Sequence, residues 1–486
     1  MRAGAIANRA AVSRAPEGGR GPARWLAALL GCVALGGCDA ALDTRTALLV
    51  QTLVDADRDL AASRPALVAS KYQEMAAGLH PFLRGTATVF YRDLSRYQDG
   101  QAALPHGDGA EQVVLYGDPH LENLGATRDD AGVLLDGIDY DASLPGPFAW
   151  DVRRAALALY TALSLADLDA AVCRDAAREL AASYTRSVEQ ARLGQPLPPV
   201  REEEGAAGRI LLDLLADGRA RYESREELSE YTRPTDTGRI LLRDDRQLEV
   251  PEPWRSELVR LLAAYRDTRR AGRGDDAQFV LLDAVQRFGT GIASFPNLRF
   301  WALVRGDGEG REWLLELKEE RDPPQPIAWL GRGPIGAPGV RPDQPPAFHN
   351  AARVVYSSRC LLASATSEPD LGFVQSGGVS FQVRRVLRGR RDLDVVRLGD
   401  RFRAGRYQAA DAVTLGRDVG RLLASGHTRC GDAQAIARAL AAEGDEAQLA
   451  GSIARAAAVD HERLRRDFVL FQRALSLRGP LLGARP

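Results

Sequence analysis

Lysine is nearly missing from this chain. Of its 64 basic residues only Lys71 and Lys318 are lysines, and the rest are arginine. Asparagine is as scarce, standing at Asn8, Asn123, Asn297 and Asn350 alone. A GC-rich coding sequence accounts for such a bias, because it swaps lysine for arginine wherever charge is all that is needed. A lysine that survives marks a place for a compact, flexible ammonium that a planar guanidinium fork does not replace. Cysteine is sparse too: Cys32, Cys38, Cys173, Cys360 and Cys430 include no pair at C-x-x-C or metal-ligand spacing. An odd number of them lies beyond Cys38, which argues against a disulfide framework and leaves a single bridge open. A basic footprint is absent as well, the formal net charge being −1, so no nucleic-acid partner is expected. No internal repeat is visible.

What is present is an ordinary globular composition, 45% hydrophobic over 486 residues, long enough for two or three lobes. Residues 1–38 read as an export leader rather than as fold. Arg20 and Arg24 precede an apolar stretch, Trp25 to Leu35, too short to span a bilayer comfortably, and small residues follow it. Leu35-Gly36-Gly37-Cys38 resembles a bacterial lipobox, in which Cys38 carries the lipid and becomes the new N-terminus. The expectation is a lipoprotein of the bacterial cell envelope, facing the periplasm and held to the membrane through its lipid anchor only. An ordinary signal peptide, giving a secreted protein, and a start placed too far upstream, giving a cytoplasmic one, are the alternatives.

The rest of the chain is organised around Tyr116 to Asp141, Y-G-D-P-H-L-E-N-L-G-A-T-R-D-D-A-G-V-L-L-D-G-I-D-Y-D. Val113-Val114-Leu115 and Val133-Leu134-Leu135 are short, strand-like runs bounded by Gly and Asp turn signals. Asp118, His120 and Asn123 lie between them, with Asp139 and Asp141 after the second. Acids and amides crowded into the mouth of a two-stranded ribbon would cost stability if they served packing alone. The separation of Asp118 and Asn123 suits a tight loop in which a carboxylate faces a hydroxyl nucleophile and an amide oxygen faces a cation. A further carboxylate at the next strand end would complete a Mg²⁺ site, since hard cations take oxygen ligands from few protein groups plus substrate phosphates. Asp141 is either a second such ligand or a surface acid.

Outside this stretch, Ala40 to Gly78 has a helical apolar stripe, and Arg84 in His80 to Gly85 suits either a phosphate or a nearby acid. Pro145-Gly146-Pro147 forces a turn, and a helix from Phe148 to about Ala166 opens with Asp151 placed to cap amides. Helix is expected over Ala170–Leu193 and through most of the stretch to Arg273, with a hairpin near Ile240 to Leu248. Strands follow at Leu298–Val304 and Trp313–Lys318, a helix at Phe348–Ala365, a strand at Phe381, and helix again from Tyr407. His427 and His461 read as helix-surface or packing residues. In Trp313-Leu-Leu-Glu-Leu-Lys318 alternation sets Lys318 beside Leu314 and Glu316 and against Trp313, Leu315 and Leu317. An ammonium at a strand end can reach nucleotide phosphates as a point charge, or it marks an exposed edge strand. Gly289 and Gly291, in Phe-Gly-Thr-Gly, suit a close approach to phosphates, or simply a turn.

Gly-Asp-Pro-His-Leu-Glu-Asn followed by Ile-Asp-Tyr resembles the G-D-x-H-x-x-N and I-D-aromatic pair of aminoglycoside phosphotransferase-like and protein kinase-like proteins. The wider chain resembles an uncharacterised bacterial family, the domain of unknown function 2252. That resemblance runs through His80–Thr86, Gly117–Gly125, Ile138–Arg154, Leu315–Glu319 and Arg353–Val355. It implies an α+β, two-lobed kinase-like fold, circularly permuted because the lysine strand follows the catalytic-looking loop. The expected parts are the leader over 1–38, a helix-rich lobe over 39–275, a small antiparallel-sheet lobe over 276–395, and C-terminal helices over 396–486. It also implies ATP and Mg²⁺, with Asp118 orienting or deprotonating an acceptor hydroxyl, Asn123, Asp139 and Asp141 toward metal, and Lys318, Gly289 and Gly291 toward the nucleotide. His120, Asp151 and Arg84 would brace the site, Asp151 by tying down the loop backbone. Kinase-like folds pair the strand lysine with a helix glutamate, yet no Glu occurs from Arg321 through Ser367, and Tyr356 stands where one is expected, which leaves Glu319 or Glu320 as the substitute. Nucleotide is also scarce outside the cytoplasm. The partners are therefore a nucleotide and a small-molecule or protein acceptor, or else the chain is a non-catalytic kinase-like scaffold on the envelope. A two-metal phosphoesterase is a minor alternative, disfavoured because no asparagine precedes a histidine and there are only six histidines.

Overall fold

The computed structural model describes residues 36–96, 112–202, 207–223, 228–236, 238–272, 279–305, 312–325, 349–386 and 390–484. The leader up to residue 35, the side chain of Cys38, the polar loop at 98–109 and most of the Pro-rich loop at 321–346 lie outside the described residues. The compact body runs from Leu49 to Pro486.

Where one long N-terminal helix was expected, the chain makes several: α1 (Gly36–Ala56), α2 (Arg58–Ser63), α3 (Pro65–Ala76), α4 (Leu79–Gly85) and α5 (Ala87–Arg96). Pro65 explains one break, because a proline drives the residue before it out of the helical region; Arg64 sits at φ −141°, ψ 53°. The next break falls at Gly78, which is fully extended. Leu49, Leu53, Val68, Tyr72, Phe82 and Leu83 from these helices form one core with Phe471 and Leu475 of the C-terminal helix.

The ribbon follows: β1 (Gln112–Val114), β2 (Leu124–Asp129), β3 (Gly132–Gly137) and β4 (Pro145–Pro147), with β2 and β3 an antiparallel hairpin and β1 paired to β4. Next come α6 (Phe148–Leu165), α7 (Ala170–Arg192) and α8 (Arg209–Glu223). α6 is apolar nearly all round and almost wholly buried, as a central helix must be. The helix Ala409–Cys430 packs against α7 so closely that a Cβ on its Gly416 or Gly420 would lie 2.2 or 2.1 Å from a carbonyl oxygen of α7.

The second region contains β5 (Thr232–Thr235), β6 (Gly238–Leu241), β7 (Gln247–Glu249), α9 (Glu252–Thr268), β8 (Leu281–Arg287), β9 (Arg299–Arg305), β10 (Glu312–Glu320), α10 (Asn350–Leu361), β11 (Gly372–Ser376) and β12 (Val379–Arg385). The expected hairpin near 240–248 is instead two features: β5 pairs with β6, and β7 joins β8. The six-stranded sheet has the order β11-β12-β10-β9-β8-β7, so it draws in β7 and α9 from before residue 276. α9 lays Leu258, Leu261, Leu262 and Tyr265 on the face that carries Phe300, Leu315, Leu317 and Phe381. The chain closes with β13 (Arg391–Asp392), which adds to β2, then α11 (Val395–Arg403), α12 (Ala409–Cys430), α13 (Ala433–Ala442) and α14 (Glu446–Arg478). All strand pairs among the described residues are antiparallel. The fold is α+β.

One disulfide, Cys360–Cys430, ties α10 to α12, and Cys173 is buried and free. No helix among the described residues is long and apolar enough to cross a membrane.

Candidate functional site

The loop after β1 is built backbone first. Gly117 has φ +85°, and a Cβ there would fall 2.0 Å from the carbonyl oxygen of Ala142; only glycine fits. The carboxylate of Asp151, in the first turn of α6, accepts hydrogen bonds from the amides of Tyr116 (2.6 Å) and Gly117 (3.0 Å). His427 Nε2 lies 3.0 Å from the same carboxylate, and its Nδ1 lies 2.9 Å from the hydroxyl of Tyr184. His427 is thus buried support for the loop rather than a surface residue. His461 is buried too, 3.0 Å from Thr161.

One helical turn beyond Asp151, Arg154 is wholly buried, and its Nε donates to Asp118 Oδ1 at 2.8 Å while Nη2 donates to the Leu83 carbonyl. Spacing i, i+3 puts both side chains on the one face of α6 that lies under the loop. The Asn123 amide donates to the Asp118 carbonyl at 2.9 Å, so its NH₂ is used inside the loop and its oxygen turns away from it. His120 is buried, with Nδ1 unpartnered, and burial lowers its pKa to about 4. Arg84 meets an acid: it pairs with Glu122 at 2.5 Å, and His80 Nε2 lies 3.1 Å from the same carboxylate. Burial would raise Glu122, but these partners hold it down at about 2.

At the end of the β2–β3 hairpin, Asp139 and Asp141 meet Lys318 of β10. Lys318 Nζ is 3.2 Å from both oxygens of Asp139 and also contacts Asp141 Oδ2. The alternation read from the sequence places Lys318 on the sheet face that looks at the hairpin, in register with Arg299 on β9 and Gln382 on β12. The Lys318 side chain is only 2% exposed and β10 is an inner strand, so it is not an edge-strand lysine, and the half-buried Asp141 is held by it. Burial would lower Lys318, but Asp139, Asp141 and Glu320 hold its pKa above the ordinary lysine value. Burial likewise opposes ionisation of Asp139, yet Lys318 keeps it well below the carboxylate range. Asp141 rises to about 6, through burial and then the charge of Asp139. Glu320 is raised strongly, by burial and by Asp141.

A cavity of about 530 Å³ collects these parts. Asp118, His120, Asn123, Asp139, Asp141, Arg84 and Gly291 all line it, with Glu320 and Gln325 from the chain after Lys318. Gly291 (φ +76°) and Gly289 (φ +68°) shape the turn between β8 and β9, and Ile292 to Ser294 of that turn also face the cavity. Gly289 and Lys318 do not line it; Lys318 acts on it through the two aspartates. Lys71, the other lysine, does line it, paired through Nζ with both oxygens of Asp57 at 2.8 and 2.7 Å. A second pocket, against Arg154 and Asp460, holds about 40 Å³ and is too small for a substrate.

The donor chemistry suits a hard cation: Asp141 Oδ1 and Glu320 Oε1 are buried without a hydrogen-bond partner, and both residues line the cavity with Asp139. Among the described residues, however, no three acidic, histidine or cysteine side chains already surround one point as a ligand set, since Lys318 Nζ fills the space between Asp139 and Asp141. Sequence reasoning missed Arg154, Arg353 and Glu316. Arg153-Arg154 three residues after Asp151 was the available signal for the first. Arg353 of α10 donates to the carbonyls of Ser143 and Arg321, and Glu316 accepts from Arg299, Trp301 and Arg384; neither role has a local signature.

No curated protein and no solved structure matches the chain. The sequence profile of a family described as an uncharacterized protein conserved in bacteria, DUF2252, matches residues 63–474, which takes in the Asp118 loop, the two aspartates, α6, β10 and His427. The chain belongs to the DUF2252 family.

Proposed function

We propose that this cleft binds a magnesium–nucleotide complex and transfers a phosphoryl group to a hydroxyl acceptor, in a kinase-like, circularly permuted arrangement. The observation that carries the reading is the convergence, in one cavity, of Asp118, Asn123, Asp139 and Asp141 from the β1–β3 ribbon with Lys318 reaching the same two acids from the sheet. In this reading Asp118, fixed by Arg154, orients the acceptor hydroxyl and takes its proton as the oxygen bonds to the γ-phosphorus and the bond to the leaving diphosphate oxygen breaks. Asn123, Asp139 and Asp141 are the oxygen donors that would hold Mg²⁺, which when bound neutralises phosphate charge. Lys318 adds its positive charge behind Asp139 and Asp141 toward the nucleotide phosphates, and the Gly289–Gly291 turn faces them through Gly291. Asp151 and His427 keep the loop rigid, which such chemistry needs because it consists mostly of positioning.

A second reading is a non-catalytic scaffold that keeps the cleft for ligand binding. It is favoured by α10, where Tyr356 packs against Phe373 and no acid faces Lys318. For location, the Cys360–Cys430 bridge supports export to an oxidising compartment, in keeping with an envelope lipoprotein.

Thermal unfolding with ATP, with Mg²⁺ and with both separates these readings. A ligand of the folded state raises the midpoint by mass action, and a rise of a few degrees is expected only with both. Lys318→Ala and Asp139→Ala should abolish it. A shift that Asp139→Ala leaves intact removes the metal assignment, and phosphate release or acceptor labelling then distinguishes kinase from scaffold.

A further inference from the structure

The nucleotide reading sets Lys318 a problem of occupancy. Its ammonium lies between Asp139 and Asp141, in the space that a cation held by those carboxylates would need. An ammonium displaced inside the protein needs another acceptor, because an unpaired buried charge costs several kcal/mol. β10 offers two acids on the same face, at i−2 and i+2. Glu316 is saturated by Arg299, Trp301 and Arg384. Glu319 belongs to the opposite face, where it accepts from the Leu298 amide and pairs with Arg64. Glu320 is different: it is 4% exposed, it lines the cavity, and its Oε1 has no hydrogen-bond partner. α10 has no acid, and its Arg353 donates to the Ser143 and Arg321 carbonyls.

We propose that Glu320 is the second seat of Lys318: when a divalent cation takes the Asp139–Asp141 carboxylates, the ammonium passes to Glu320, two residues along the same strand. β10 then supplies from within itself the lysine–glutamate pair whose acid α10 lacks. A four-carbon stem with a freely rotating ammonium can make that move where a guanidinium fork could not, which gives a physical reason for a lysine in a chain that has all but lost them. Glu320 is in this sense a positioning residue that acts through Lys318. The proposal rests on the metal-nucleotide reading of the cleft and deepens it.

With only two lysines in the chain, side-chain labelling makes the test direct. The full-length protein is labelled with ¹³Cε,¹⁵Nζ-lysine, the two signals are assigned with Lys71→Arg, and MgCl₂ alone is titrated in. The Lys318 signal should move saturably while Lys71 stays put. In Glu320→Gln, which keeps shape but loses the carboxylate, the Lys318 signal should reach a different end-point and Mg²⁺ should bind about tenfold more weakly, a change of about 1.4 kcal/mol. An unchanged Lys71 signal reports that the variant is folded. The same end-point and affinity in Glu320→Gln would overturn the assignment of Glu320 and leave the metal site standing. No movement of Lys318 in the wild type would overturn the metal reading itself, and this inference with it.

Discussion

His120 sits out of water between Asp118 and the His80–Glu122 pair, and burial holds its pKa at about 4 against 6.5 for a free imidazole. The unfolded chain therefore binds this proton first, so the contribution of His120 to stability is full above pH 6.5 and is lost as pH falls toward 4. Glu122 acts in a separate window: its pKa is depressed from 4.5 to about 2, so its contribution is present above pH 4.5 and lost below it. Denaturant unfolding of wild type and His120→Gln at about pH 7.5 and pH 5 should show a loss smaller by about 2 kcal/mol in the variant. Taking the difference between the two proteins cancels His349 and His461, whose pKa values burial also lowers. Equal losses would mean that the imidazole is solvated.

At the scale of the element, α6 is the foundation of the site. Its Asp151 holds two loop amides and an imidazole, and one turn later its Arg154 holds the Asp118 carboxylate. Asp151→Ala would strand all three groups out of water, at a cost of about 3–5 kcal/mol. Faster amide exchange at Tyr116 and Gly117 should accompany the fall in stability, while Asp151→Asn, which keeps one acceptor oxygen, should fall between. Protection unchanged at both amides would show that the loop is held by other means. The second decisive element is β10. Its apolar face was legible because Trp313, Leu315 and Leu317 recur at every second position, with Glu316 and Lys318 on the other face. Its polar face was legible only in part, because whether Glu316, Lys318 and Glu320 meet solvent, each other or another segment depends on what covers that face. The hairpin end covers it, and so all three are buried.

For the whole molecule, the Cys360–Cys430 bridge joins α10, which carries Arg353, to α12, which carries His427. Its two ends are 70 residues apart, and closing a loop of that length is worth about 4 kcal/mol in the chain-entropy account, with measured effects commonly between about 2 and 5. Dithiothreitol should lower the unfolding midpoint of the wild type and leave that of Cys360→Ser/Cys430→Ser unchanged; a wild type indifferent to reductant would mean that the bridge is not formed in solution. Cysteine counting left one bridge open and could not name its ends, since proximity between residues so far apart is a property of helix packing. The same limit applies across the site. Asp118, Asn123, Asp139, Asp141 and Lys318 stood out in the sequence because short-range rules of turns, alternation and composition bear on single segments. Those rules also set the strand pattern of β10, the glycine at 117 and the proline break before α3. Only the tertiary structure decided that Arg154 answers Asp118, that His427 answers Asp151, and that Lys318 rests on Asp139 and Asp141 while Glu320 keeps one buried oxygen, Oε1, without a hydrogen-bond partner. Each of those pairings joins groups far apart in sequence, at least one of them taken out of water by the fold, and burial is what turns a residue's neighbours in space, rather than in sequence, into the terms that set its chemistry.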